Sequence, residues 1–557
     1  STYLPSMLNR LKQFSLKTKK MVTKMNNTIS SFALASIFSS HCVLQQKKVL
    51  CIFGTGQDEC EVRVSLKDKN QRLLFTGKTK IFNGKWRIYT VPLSAQEEVS
   101  LTAECKETKV TLTDIAIGEV FLAGGQSNME FELGNCTEGK AELENDLAPK
   151  VRFYYTQKIA WKDEAFFAKE KETAWELSTS STKTHWSAVG YFFAKELSQR
   201  LGVTVGIIGC NWGGTSASAW MAKSRLEKDE DLRSYLSDYQ KATEGKSVEE
   251  QCKEYDDYVI ANDSWQKKCD QLYKENPQIE WDEVQKRIGK CLWPGPMGCK
   301  NPYRPAGLYE CMIERIVPYT LKGFLYYQGE SDDHKAHLYY KLFRELIDQW
   351  RSDWKDDTLP FVFVQLPEHR YRQDKDFKNW PLIRDAQRKI SQTVKGAFMT
   401  CALGLGEYDD IHPKHKKELA LRMAKTALAN IYGLLKKEEV ESPLLQAQCP
   451  CENKIILYFD NAESGLVLKT DSLRLQRYRT LEARQNQTVS SDFSSFEIAG
   501  SDKVFYPAQA SVNGNTLTLT CAQVAFPLYA RYAWYNYGPV TLFNNWGLPA
   551  SPFNTAH

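Results

Sequence analysis

Residues Gly118-Glu-Val-Phe-Leu-Ala-Gly-Gly-Gln-Ser-Asn-Met-Glu130 run an apolar strand directly into a glycine pair, a serine and an asparagine. An apolar run such as Val120-Phe121-Leu122 reads as a strand buried on both faces, which is the signature of a parallel sheet. Gly124 and Gly125 permit the tight turn that lifts Ser127 above the sheet edge, the arrangement that exposes a nucleophile. The rest of the centre agrees. Strand-like runs at Val203–Ile208, Leu321–Tyr326, Phe361–Leu366 and Ala397–Ala402 alternate with helix-like stretches, and such alternation predicts a parallel sheet covered by helices. Over 188–201, Val189, Phe192, Phe193, Leu197 and Leu201 share one helical face, and over about 415–433 Leu419, Met423, Ala427 and Ile431 form a second stripe. His412 is thereby placed in the loop leading into a helix.

The flanks read differently. From about Ile29 to Ile117, and again after about Glu439, short alternating runs separated by turns predict β structure, for example Glu61–Ser65, Lys85–Tyr89, Ile455–Phe459, Leu466–Leu468 and Thr516–Thr520. A chain of 557 residues is too long for one ordinary core. The expected organisation is a basic extension over 1–28, an N-terminal β domain over 29–113 and a catalytic domain over 114–435. A β segment over 436–557 is expected to follow and to pack with the N-terminal β domain. Residues 224–300 are rich in charge yet carry Trp265, Tyr273 and Trp281, so a charged helical insertion is expected rather than a disordered one, forming a wall of the site.

Charge excludes some functions. The 73 basic and 68 acidic residues leave a net +5, with no dense basic stripe beyond the first 24 residues, so nucleic acid is not expected as a partner. No apolar run reaches the roughly 18 residues of a membrane span, so no membrane partner is expected either. The fifteen cysteines include no pairs at zinc-ligand spacing, and neither a metal nor a cofactor is called for. Cys51, Cys210, Cys401 and Cys521 lie in apolar strand-like runs as small core residues. Mostly reduced thiols favour a cytoplasmic protein, whereas sequons at Asn26, Asn135, Asn262 and Asn486 permit a secreted, periplasmic or lysosomal one.

A serine hydroxyl needs a base within hydrogen-bond reach and a third group to orient that base. Asp409-Asp-Ile-His-Pro413 offers both: His412 is the expected base, over His334 and His337, and Asp409 the orienting acid, with Asp410 as the alternative. Backbone N–H groups of Ser127 and of Gly213 or Gly214, in Asn211-Trp-Gly-Gly-Thr215, are natural donors to a developing oxyanion. Asn128, Trp220 and Trp293 are candidates for substrate contact. Arg304, in Asn301-Pro-Tyr-Arg-Pro305, is a candidate partner for a carboxylate.

Gly-Gln-Ser-Asn-Met, Trp-Gly-Gly-Thr, Tyr-Gln-Gly-Glu-Ser (Tyr327 to Ser331) and Ile-His-Pro follow one another in this order, and the chain resembles the sialate O-acetylesterase family of SGNH-type hydrolases from about residue 31 to 555. The resemblance implies an α/β SGNH (flavodoxin-like) parallel-sheet core with flanking all-β segments. It implies an esterase that removes O-acetyl groups from sugars, 9-O-acetylated sialic acids foremost, through an acetyl-enzyme. Acetylxylan or another plant glycan is the alternative substrate. A glycan-binding protein with a vestigial site is a further reading, which the intact Ser127, Asp409 and His412 oppose, and a phospholipase or thioesterase on the same core is another. Many SGNH enzymes complete the oxyanion hole with an asparagine in the third block, but Gly329-Glu-Ser-Asp332 has none. The resemblance implies that Gln328 stands in for it, with Glu330 and Asn128 as supports, unless Gln328 and Glu330 only tie strand ends together.

Overall fold

The computed structural model describes residues 31–145, 148–371 and 376–557; the expected extension over 1–28 and the Asn26 sequon lie outside them. The protein is of the α/β class. Six strands run parallel at its centre: β1 (Thr108–Gly125), β2 (Val151–Tyr155), β3 (Val205–Asn211), β4 (Gly323–Tyr327), β5 (Phe361–Gln365) and β6 (Ala397–Cys401). Their spatial order is β2-β3-β1-β4-β5-β6, with Glu176–Leu177 added antiparallel at the β2 edge. Every residue of β3, β4 and β5 is buried, as a sheet covered on both faces requires.

β2 was not foreseen from sequence. Arg152 interrupts its apolar run, and the structure shows how that arginine is tolerated: it is buried and donates to the Asp114 carbonyl at 2.5 Å and the His41 carbonyl at 3.1 Å.

Helices cover the sheet where the periodicity placed them. Helix α2 (Ala188–Leu201), which follows the one-turn α1 (Ser127–Glu130), begins at Ser187, whose hydroxyl accepts the Gly190 N–H at 3.0 Å, and ends at Gly202 in the left-handed region. The insertion is helical, with α3 (Val248–Glu275) as its long arm and its own small core of Trp265, Cys269, Ile279 and Val284. Helices α4 (Tyr339–Trp354), α5 (Asn379–Thr393) and α6 (Lys417–Asn430) complete the layers.

The expected boundary at 113/114 falls inside a strand. β1 is 18 residues long; its first part pairs antiparallel with Gln96–Cys105 and its second part is the parallel neighbour of β3 and β4. One apolar core therefore extends from Ile37, in a turn of the N-terminal β region, to Leu428 in α6. The C-terminal segment departs from expectation twice. It carries a helix, Ser472–Arg484, and its buried core, from Ile455 to Phe553, contains no residue of the N-terminal β region. It packs instead on the central domain. The Arg384 guanidinium of α5 donates to the carbonyls of Leu366 (3.0 Å) and Pro367 (2.8 Å) and across the junction to those of Tyr535 (3.0 Å) and Asn536 (2.9 Å). Cys51, Cys210 and Cys401 are core residues, but Cys521 is half-buried just past its strand. No helix among the described residues is long and apolar enough to cross a membrane.

Candidate active site

The residues singled out by the motifs converge at the C-terminal edge of the parallel sheet, where crevices form in open α/β folds. β1 ends at Gly125 with φ +134°, and a Cβ there would lie 2.1 Å from the Tyr327 carbonyl oxygen, so only glycine fits. The chain then turns, the Gln126 N–H donates to that carbonyl at 3.1 Å, and α1 opens with Ser127. The Ser127 Oγ lies 2.8 Å from Nε2 of His412, carried by the loop between β6 and α6. His334 and His337 are exposed on a separate turn.

The acid beside His412 is Asp410 rather than Asp409. Asp410 folds back so that its carboxylate accepts the His412 N–H at 2.9 Å, an Asx-type turn. Asp409 is exposed, bordering a cleft with Tyr408, Arg477 and Arg484. Burial and the cation of Lys416 hold His412 below its ordinary pKa, against the opposing fields of Asp410 and Glu130. A neutral imidazole is thereby favoured, as a general base requires.

A buried polar network supports this pair. The Asn128 amide donates to Glu330 at 2.8 Å and to the Ile411 carbonyl at 2.9 Å, tying α1 to the histidine loop, and its oxygen accepts from Lys416 Nζ at 2.5 Å. Asn128 is 1% exposed with both amide hydrogens engaged, so it supports the site and does not contact a sugar. Lys416 lies over the rings of Phe131 (4.9 Å) and Tyr327 (5.6 Å), and burial brings its pKa down to about 8. Burial pushes the Glu330 carboxyl above its ordinary range.

Gly213 packs on Ser127, a Cβ there meeting Ser127 Cβ at 3.2 Å, and Gly214 adopts φ +77° beside Trp293 and Tyr303. The Gly213 N–H is engaged: it donates to Glu130 Oε2 at 2.5 Å. Gln328 is not a third donor. It is buried, its amide donates to the Thr215 carbonyl at 3.2 Å and to Asp332 at 2.7 Å, and its oxygen accepts from Tyr339 at 2.9 Å.

The two tryptophans separate. Trp220 is a core residue, fully buried with its N–H on Thr215 at 2.9 Å. Trp293 is 56% exposed against Gly214, its N–H on the Tyr303 hydroxyl at 2.7 Å. Arg304 is withdrawn from solvent, donating to Glu310 at 3.1 Å and to the Ala160 carbonyl at 3.2 Å, and is not free to bind a carboxylate. Three residues of the site were missed from sequence: Glu130, Lys158, which forms an ion pair with it, and Lys416. Spacing alone held a clue to two of them, since Glu130 stands one helical turn after Ser127 and Lys416 four residues after His412.

The fold and this edge of the sheet are matched by known proteins. The family described as "Carbohydrate esterase, sialic acid-specific acetylesterase" matches residues 117–249 and 298–429, on either side of most of the helical insertion. The protein is a carboxylic ester hydrolase. More narrowly, over those residues the chain matches this sialate O-acetylesterase family of carbohydrate esterases. Sialate O-acetylesterase of Mus musculus is 25% identical over 480 residues, covering 81% of this chain and 82% of its own, and that of Homo sapiens is 25% identical over 561 residues, covering 94% and 92%. A solved carbohydrate acetylesterase from Xanthomonas citri superposes with a TM-score of 0.70 at 24% identity, covering 94% of this chain and 99% of its own, and shares the fold.

Proposed function

We propose that this protein is a serine O-acetylesterase acting on acetylated sugars, 9-O-acetylated sialic acids foremost, with Ser127 as nucleophile and His412 as base. The 2.8 Å contact between Ser127 Oγ and His412 Nε2 carries the reading. For Nε2 to accept the serine proton, the neutral imidazole must bear its own proton on Nδ1. Oγ attacks the acetyl carbonyl carbon while His412 takes the proton. Ser127 opens α1, so its N–H has no partner within that helix and is available to the carbonyl oxygen as it becomes anionic, together with Gly214, or with Gly213 once Glu130 leaves it. Collapse breaks the bond to the sugar oxygen, to which His412 returns the proton, and water then hydrolyses the acetyl-enzyme by the same steps reversed.

Asp410 is assigned the electrostatic support of the imidazolium, and Asn128, Glu330 and Lys416 the fastening of the two loops. The strand order β3-β1-β4-β5-β6 is the flavodoxin-like order and supports an SGNH-type core. The names of the mammalian relatives support a sialate substrate. A vestigial site would have no reason to keep the hydroxyl and imidazole in bonding contact.

Acetate release from 9-O-acetyl sialic acid and from acetylated xylo-oligosaccharides, with Ser127→Ala as the blank, tests the reading. Serine-dependent release with preference for the sialic acid is expected, the variant losing about 10³-fold or more. Preference for the xylo-oligosaccharides would move the substrate to plant glycans. Release from neither would overturn the assignment.

A further inference from the structure

The Glu130–Lys158 pair takes no part in the proton transfers between Ser127 and His412, yet it stands beside them. Glu130 shares the single turn of α1 with Ser127. One of its carboxylate oxygens accepts the Gly213 N–H at 2.5 Å, and the other meets the ammonium of Lys158, on the loop leaving β2 at the same edge of the sheet. Both side chains remain about one-third exposed, 32% and 35%, so the pair faces the mouth of the site rather than the core. Gly213 in turn packs on Ser127, and the exposed Trp293 flanks Gly214.

A carboxylate on Gly213 has the charge and the hydrogen-bond geometry that a tetrahedral oxyanion would have there. Two anions cannot share that donor, so Glu130 must swing off it before Gly213 can serve the transition state. Its other oxygen is paired with Lys158, and an ammonium that loses one carboxylate is satisfied by another. Arg304, the cation first considered for a substrate carboxylate, is spent on Glu310, whereas Lys158 is one side chain away from the oxyanion donor.

We propose that Lys158 and Glu130 select acidic acetyl sugars by carboxylate exchange: the carboxylate of the substrate takes over Lys158, Glu130 leaves the Gly213 N–H, and the oxyanion donor is freed as that substrate seats. This rests on the O-acetylesterase reading and deepens it by giving the preference for a carboxylate-bearing sugar a residue. Lys158 is the specificity-determining residue and Glu130 the positioning one.

The test compares acetate release from 9-O-acetyl sialic acid and from its methyl ester, the same sugar with the carboxylate blocked. The ratio of the two kcat/KM values is independent of how much of a variant is folded. Wild-type enzyme should favour the acid, and Lys158→Met should cut that ratio about tenfold, the worth of one charge-assisted hydrogen bond. Lys158→Arg should restore most of it. Glu130→Gln should raise kcat on the methyl ester, since a neutral amide holds Gly213 less tightly than an anion does. An unchanged ratio in Lys158→Met, or a fall in kcat on both substrates in Glu130→Gln, would overturn the exchange while leaving the esterase assignment intact. Absence of Ser127-dependent acetate release from both compounds would instead overturn the assignment on which it rests.

Discussion

His412 works at the meeting of opposed fields, and these set the acid side of its activity. A base must be unprotonated, so kcat/KM should fall as pH drops through the histidine pKa, which burial and Lys416 hold below the ordinary 6.5. Removing the cation with Lys416→Met raises the proton affinity of the imidazole and should move that acid limb to higher pH. Asp410→Asn removes an anion that favours the imidazolium and should move it lower. pH profiles of kcat/KM for the two variants check both signs, and a limb that stays put in Lys416→Met would remove the lysine from the account. At this scale the sequence was partly legible. Ser127 and His412 stood out because motif order reports on residues that chemistry constrains. Asp409 was expected in the place that Asp410 takes, since which of two neighbours turns inward depends on a backbone turn that closes only in the folded loop. Arg304 misled because its partner Glu310 lies on the following turn, where nothing in the composition marks it as bound.

Elements were easier to read than the contacts between them. Helix α2 begins and ends where its apolar stripe does, because a cap at Ser187 and a left-handed Gly202 reinforce the periodicity. The C-terminal helix Ser472–Arg484 went unseen because its face is mostly polar, with only Leu481 and Glu482 buried. The insertion was legible as helical, but its relation to the site was not: Trp293, at its end, reaches Gly214 through a loop of no regular structure. If that indole is a platform for sugar, Trp293→Ala should lower kcat/KM on acetyl sugars about threefold to tenfold. Nitrophenyl acetate, which offers no pyranose face, should respond less. Equal losses on both would mean that the indole only braces the glycine turn.

Across the molecule, the C-terminal segment is joined to the catalytic domain by buried polar bonds. Arg384 is held below its ordinary pKa, at about 10, by burial, and two of its four carbonyl acceptors lie across the junction. Arg474 and Glu482 of the C-terminal helix pair with Glu368 and Arg370, in the loop that follows β5. Arg384→Met leaves buried carbonyls without donors and should cost about 3 kcal/mol or more, read as a lowered midpoint in urea denaturation. Loss of acetate release alongside that shift would indicate that the junction also sets the height of the neighbouring catalytic loops.

The continuous β1 strand bears on how this enzyme can be rebuilt. An accessory domain on a linker can be clipped off or grafted onto another enzyme, but here the backbone that closes the N-terminal sheet runs straight on to the glycine before the nucleophile turn. Cutting at the apparent border would sever the strand after the sixth of its eighteen residues and expose unpaired backbone on both sides. Grafting schemes and circular permutants therefore have to keep the strand Thr108–Gly125 whole, with usable breakpoints in the charged insertion instead.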